Sequence, residues 1–306
     1  MTKSTKAHGI VTKKSTILIC ITISICVGLQ IGYLKSAYNL PYRVVERLLS
    51  EAYCPEKGGG ECILPFQNGF SAQIWFGAVN SMGYVGLIPG LISAQWGSDL
   101  MGRRGCMITA LVPTFAGLLT ELGSLQFPAG AALVPLLAVA RFLYGFGCGI
   151  LIVSAQIFQW EIVSRQGKEK AGGRSVAFMK CGLIFPILIP GCLLAFSEST
   201  SFPGVALVSL PAAALLLLAV LLLFIPESPR FICLYLPEYR QKMERSLTFY
   251  QGPMLYPEFY IDDVRMSQVR LHSTPTSGVL KLIRGIFSAT KETKAAFRSV
   301  FIVNKE

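Results

Sequence analysis

Across 306 residues, 52% are hydrophobic, 15% are charged and the mean hydropathy is +0.53, a balance too apolar for an ordinary water-soluble domain of this length. The formal net charge of +11 does not mark a nucleic-acid binder, because the basic residues lie between apolar runs and in the stretch after residue 226 rather than on one aromatic-studded face. The composition is that of a polytopic, all-α membrane protein.

Residues 1–14 are polar and carry Lys3, Lys6, Lys13 and Lys14, and no small-residue cleavage site follows the next apolar run, so the start reads as retained rather than as a removed signal peptide. The run at 15–34 then supplies about the twenty residues that a bilayer core requires. Further predicted spans follow at 71–96, 106–125, 130–158, 176–196 and 204–225, those at 71–96 and 130–158 long enough to tilt or to extend past the hydrocarbon. Six spans put both ends on one side. Arg103, Arg104, Arg165, Lys168, Lys170 and Arg174 fall in connections on the same side as the lysine-rich start, while 126–129 and 197–203 contain no Lys or Arg. The positive-inside rule therefore predicts cytoplasmic termini.

The predicted outer loop, 35–70, balances Lys35, Arg43, Arg47 and Lys57 against Glu46, Glu51, Glu56 and Glu61, with a short helix expected at 42–51 and a flexible turn at Gly58–Gly60. Cys54 and Cys62 share this polar loop. They close a small disulfide loop if that side is oxidising, and otherwise are two unpaired thiols. Cys20, Cys26, Cys106, Cys148, Cys181 and Cys192 lie in apolar runs without metal-ligand spacing, so neither metal nor cofactor is expected.

Between the second and third runs sits Asp99-Leu100-Met101-Gly102-Arg103-Arg104. A carboxylate and two guanidiniums in six residues cannot span a bilayer, so this is a tight turn at a membrane face. Gly102 lets the backbone turn sharply, and Arg103 and Arg104 are built to clasp acidic groups at neighbouring helix ends. Farther on, Arg141 lies near the start of the 130–158 run, inside the membrane, where it needs a partner or water. It serves either as a structural arginine or as a solute contact. Gly145, Gly147 and Gly149 give the same helix a smooth face for close packing. After Arg230 the apolar runs stop, and amphipathic pieces follow. At 278–290, Leu282, Ile283, Ile286 and Phe287 recur at helical spacing beside Lys281 and Arg284, as in a helix lying on the cytoplasmic surface.

The 99–104 turn resembles the loop between the second and third helices of the major facilitator superfamily. Three further features resemble its sugar porter branch, which includes the facilitative glucose transporters: Arg141-Phe142-Leu143-Tyr144-Gly145-Phe146-Gly147, then Glu161 just beyond that helix, and Pro226-Glu227-Ser228-Pro229-Arg230 after the sixth span. The spacings agree over about residues 15–235. The resemblance implies a six-transmembrane-helix bundle at 15–225, one half of a major facilitator fold and its N-terminal half. A cytoplasmic helical segment at 226–306 follows, with the chain ending where a seventh helix would begin, near 297–303.

The implied function is facilitated diffusion of a hexose or similar small polar solute by alternating access, probed from a pocket between two halves near the midplane. The implied location is the plasma membrane, with the lipid bilayer, a sugar and a second transporter half or homo-oligomer as partners. The alternative is a truncated, non-transporting form that associates with full-length transporters and modulates them. By the same resemblance Lys180 stands where sugar porters place a sugar-binding glutamine, and Leu183 and Ile187 match apolar positions of the pocket. Lys180 also lies within snorkelling reach of the cytoplasmic face. Leu34 occupies the position at which proton-coupled members carry an aspartate, and leucine cannot take up a proton. Asp99, Gly102, Arg103 and Arg104, then Glu161 with Lys170 or Arg174, and Glu227 with Arg230, form alternating charges at helix ends. They either gate the inner face or fix topology. An enzyme is not expected: His8 and His272 lie in polar segments, and no nucleophile–base set is present.

Overall fold

The structure is a computed structural model that describes residues 13–36, 69–126, 133–163, 203–236 and 240–252, with single positions between 176 and 184 and between 238 and 266. In chain order the helices are α1 (Lys14–Ser36), α2 (Gly69–Met101), α3 (Arg103–Gln126), α4 (Leu133–Ile162), α5 (Pro203–Phe224), α6 (Pro229–Tyr235) and α7 (Arg240–Gln251). No strand occurs among the described residues. Cys54, Cys62, Leu183, Ile187, the predicted 42–51 helix, most of the predicted 176–196 span and the amphipathic 278–290 piece lie outside the described residues.

The apolar runs became helices whose outward faces are greasy and whose inward faces carry the polar groups. Val112, Leu119, Leu216, Leu223 and Phe224 project outward, while Ser24, Gln30, Thr114, Glu121, Arg141, Ser154 and Gln159 are buried. The core is still mainly apolar, and the exposed apolar faces suit a lipid solvent. Lys14–Lys35, Arg103–Ser124 and Leu133–Ile162 are each long and apolar enough to cross a membrane, and a fourth crossing is counted if α5 and α6, bent by 55°, form one broken span. Helix α2 is 33 residues long and carries Pro89 within it.

At the centre α4 packs on α1, α2 and α3, most extensively on α2. The expected smooth face is the reason: Gly145 meets Gly83 and Gly149 meets Gly90 of α2, while Gly86 lies against Phe142, so a Cβ on Gly145, Gly149, Gly86 or Gly90 would overlap a carbonyl oxygen of the facing helix. On α4's other flank, Gly147 abuts Thr114 of α3. Two polar ties fix α1 to its neighbours. Gln30 donates through Nε2 to the Pro211 carbonyl of α5 at 2.9 Å and accepts the Tyr144 hydroxyl at 2.7 Å, while Gln159 donates to the Ser24 Oγ at 3.1 Å.

The predicted 99–104 turn is narrower than the sequence suggests. Helix α2 runs on through Met101, α3 begins at Arg103, and only Gly102 stands between them, at φ +88°. The left-handed conformation reverses the chain within one residue, and glycine adopts it without a Cβ penalty. The charges of the motif therefore ride on helix ends rather than on a loop.

Candidate functional site

Arg103 sits at the first position of α3, where the one-residue turn aims it across the bundle floor. Its Nε and one terminal nitrogen both donate to Glu161 Oε1 at 3.0 Å, and its other terminal nitrogen reaches the Ser98 carbonyl at 3.0 Å and Asp99 Oδ1 at 3.3 Å. Glu161, near the end of α4, spends its second oxygen on the Ser228 hydroxyl. The guanidinium also lies over aromatic rings, 5.2 Å from the centroid of Phe231 and 5.8 Å from that of Tyr235, a cation–π arrangement. Glu161 is 7% exposed and Asp99 43%, so the first pairing is sealed and the second is open to water. Asp99→Ala is accordingly expected to change stability by less than about 1 kcal/mol in thermal unfolding of the reconstituted protein.

The five-residue signature after α5 is a helix-start device. Pro226 follows the end of α5. Ser228, extended at φ −63° and ψ 135°, caps α6 by accepting the Phe231 N–H at 3.1 Å, and Pro229 fills the first helical position. Glu227 turns back to the α2–α3 corner, accepting the backbone N–H of Arg104 at 3.0 Å and of Ser228 at 2.9 Å. A Cβ on Gly102 would lie 2.5 Å from Glu227 Oε2, so the corner and the signature are fitted to each other. Among the described residues, Arg104 does not clasp a carboxylate with its side chain. It donates to the Leu222 and Leu223 carbonyls at 2.7 and 3.2 Å, because the last turn of α5 leaves carbonyls without intrahelical donors.

Beneath this corner α7 closes the floor. Ser246 and Tyr250 donate to the carbonyls of Glu227 and Pro226, each at 2.6 Å, Gln251 reaches the Ile162 carbonyl at 3.4 Å, and Lys13 and Thr16 of the first helix's start donate to Thr248 and Tyr250. Burial pushes the Glu227 carboxyl above its usual value, against the opposing pull of the Arg104 and Ser228 N–H groups. A group raised on folding contributes stability below its unfolded value and loses it as pH rises through the folded one. The unfolding temperature is thus expected to contain a component that falls from acid toward neutral pH and is missing in Glu227→Gln, checked by thermal scans across a pH series.

A second polar set lies inside the bundle. Arg141 and Glu121, both 0% exposed, face each other at 3.5 Å, and the guanidinium lies 5.3 Å from the centre of the Tyr33 ring, which packs edge-on against Tyr144. Among the described residues, Glu121 on α3 is an acidic partner of Arg141. Reading the sequence passed over it, although it is the one acidic residue in the 106–125 run and so had no inexpensive place but the interior.

The floor brings together Asp99, Gly102, Arg103, Glu161 and Glu227. Lys170 and Arg174, the expected partners of Glu161, lie outside the described residues. Arg230 is partly buried at the start of α6, and Lys180 is exposed. Among the described residues no three His, Cys, Asp or Glu side chains converge on a metal site.

Comparison with known proteins places this geometry. The facilitated glucose transporter member 3 of solute carrier family 2 from Gallus gallus is 23% identical over 272 residues, covering 88% of this chain and 51% of that protein. Member 4 from Mus musculus is 27% identical over 224 residues, covering 71% and 41%. The chain spans about half the length of the curated relatives it matches. Among solved structures, the major facilitator superfamily proton:xylose symporter XylE bound to 6-bromo-6-deoxy-D-glucose superposes with a TM-score of 0.65 at 18% identity, over 83% of this chain and 53% of that one. Its inward-open form from E. coli gives 0.64 at 17%, over 88% and 58%. The fold is that of these major facilitator proteins over about half their length. The model of the family described as Sugar (and other) transporter matches residues 16–250, and the chain belongs to that family.

Proposed function

We propose that this chain supplies the N-terminal six-helix unit of a transporter that moves a hexose or similar small polar solute by facilitated diffusion, working with a second such unit across the solute pathway. Its setting is the plasma membrane, with residues 1–14 and 226–306 on the cytoplasmic side. The observation that carries this reading is the Arg103–Glu161–Ser228 bridge, which ties the start of α3, the end of α4 and the start of α6 together in one floor. Alternating access rocks one such unit against another, and a unit moves as a body only if its ends are cross-braced. A sugar as solute is supported by the glucose-transporter relatives and the xylose-transporter neighbours. Passive movement is supported by Leu34, which is buried where proton-coupled sugar porters carry an acid.

Lys180, Leu183 and Ile187 are assigned to the solute pocket. Losing one hydrogen bond at the level of about 1 kcal/mol corresponds to roughly a fivefold rise in the KM for uptake in Lys180→Ala, with folding unchanged. The function is tested by uptake of labelled D-glucose into proteoliposomes holding the chain, with and without excess unlabelled competitor. Saturable, competed flux is the expected result. A folded chain that carries no flux and instead co-purifies with full-length transporters would replace this reading with that of a modulator.

A further inference from the structure

We propose that the solute moved by this chain is an anionic sugar, one bearing a carboxylate as a hexuronate does, and that the Lys180 ammonium is the group that receives the carboxylate. The place of Lys180 beside the solute rests on the transport reading above. The charge of the solute is new.

Across the six apolar runs, 15–34, 71–96, 106–125, 130–158, 176–196 and 204–225, the chain has one acid, Glu121, and two basic residues, Arg141 and Lys180. The acid is already matched, since Glu121 faces Arg141 at 3.5 Å with both side chains at 0% exposure. Lys180 is the surplus cation. No other acidic residue within the runs is there to neutralise it, and a cation at hydrocarbon depth without a counter-charge costs kilocalories. Such a residue is kept where water or an incoming anion reaches it.

The described positions of the 176–196 run show what surrounds it. Val176, Ala177, Lys180, Cys181 and Ile184 are helical and all are exposed, Val176 at 47% and Ile184 at 53%. Residues four apart share a helix face, so Val176, Lys180 and Ile184 form one line with the cation at its middle. Among the described residues no carboxylate pairs with Lys180. An ammonium only donates, and its neighbours on this face are apolar or a thiol, so a sugar hydroxyl finds half of its hydrogen-bonding capacity unanswered there. A carboxylate accepts from the ammonium, supplies the missing charge, and makes a charge-assisted bond roughly twice as strong as a neutral one. The other anion within reach is a lipid phosphate at the inner face, because Lys180 lies six residues beyond Arg174, about 9 Å at ~1.5 Å per residue. The two sources are separable.

Cys181, the exposed thiol next in sequence, serves as the reporter, while Cys20, Cys26, Cys106, Cys148 and Cys233 are buried. The full chain is reconstituted in phosphatidylcholine vesicles and treated with N-ethylmaleimide, and modification of the Cys181 peptide is followed by mass spectrometry. Sodium D-glucuronate is expected to slow the labelling at about tenfold lower concentration than D-glucose, with sodium chloride of equal ionic strength without effect. The difference between the two sugars is expected to vanish in Lys180→Gln and to survive in Lys180→Arg, folding being checked by helical circular dichroism. Equal protection by both sugars, protection by neither, or a glucuronate preference that persists in Lys180→Gln overturns the proposal. So does protection that comes only from phosphatidylglycerol added to the vesicles, which assigns Lys180 to the lipid surface. Uptake of the two labelled sugars into the same vesicles is expected to favour D-glucuronate by about tenfold, and to lose that preference in Lys180→Gln. Glucuronate protection without flux of either sugar keeps the anion site and removes the transport reading. D-glucose flux without any glucuronate preference keeps transport and removes the anion site.

Discussion

Arg103→Ala is expected to destabilise the folded bundle by about 3–5 kcal/mol, because it leaves Glu161 buried and charged with its two strongest donors gone. Glu161 is 7% exposed, so water cannot replace them without opening the α4–α6 contact. The loss spreads further than one pair. Arg103 also satisfies the Ser98 carbonyl at the end of α2 and stacks on Phe231 and Tyr235 of α6, so its removal loosens three helix ends at once. Thermal unfolding in detergent or lipid measures the size. The double variant Arg103→Ala with Glu161→Gln separates the stranded charge from the lost stacking: recovery of most of the stability in the double variant identifies the charge. In the transport reading, cysteines introduced along the floor also become more accessible to aqueous reagents in the single variant, and unchanged labelling would mean that the bridge holds stability and not access.

Gly145→Ala is expected to be of similar severity for a different reason. The new methyl group would overlap the Gly83 carbonyl oxygen, and the nearest neighbours are backbone atoms that no rotamer change can move aside. The helices α2 and α4 have to part along the whole of their most extensive contact, so the loss lies at or above the upper end of the about 1–3 kcal/mol usual for overpacking. Gly123→Ala is the matched control, since a Cβ there meets nothing within 4 Å. In an exposed helical position alanine is favoured over glycine by up to about 1 kcal/mol, so this variant is expected to unfold at the same temperature or higher. A loss of stability equal in both variants would show that the measured effect is unrelated to the α2–α4 contact.

Much of this was legible in the sequence because lipid imposes simple rules. Apolar run length located α1, α3, α4 and α5 to within a few residues. The three glycines of α4 announced a close helix contact, and the serine–proline pair of the signature announced a helix start. What escaped reading was every relation that depends on which helices meet. Glu121 and Arg141 are twenty positions apart on neighbouring helices, with no periodicity linking them, and only packing turns them to face each other. Arg104 looked like a clasp for a carboxylate, but a helix end offers carbonyl oxygens nearer at hand. The corner looked like a six-residue loop because its charges are polar, whereas one left-handed glycine was enough to make the turn.

The tie between Lys13 and Thr248 joins groups 235 positions apart, and Thr16 with Tyr250 repeats the join. Ribosomes add about 5–20 residues per second, so the second partner is made roughly ten seconds or more after the first. During that interval the first turn of α1 has no α7 to meet. Biogenesis of this protein therefore runs from the greasy helices toward the floor, and the floor's seal is a late event in its synthesis.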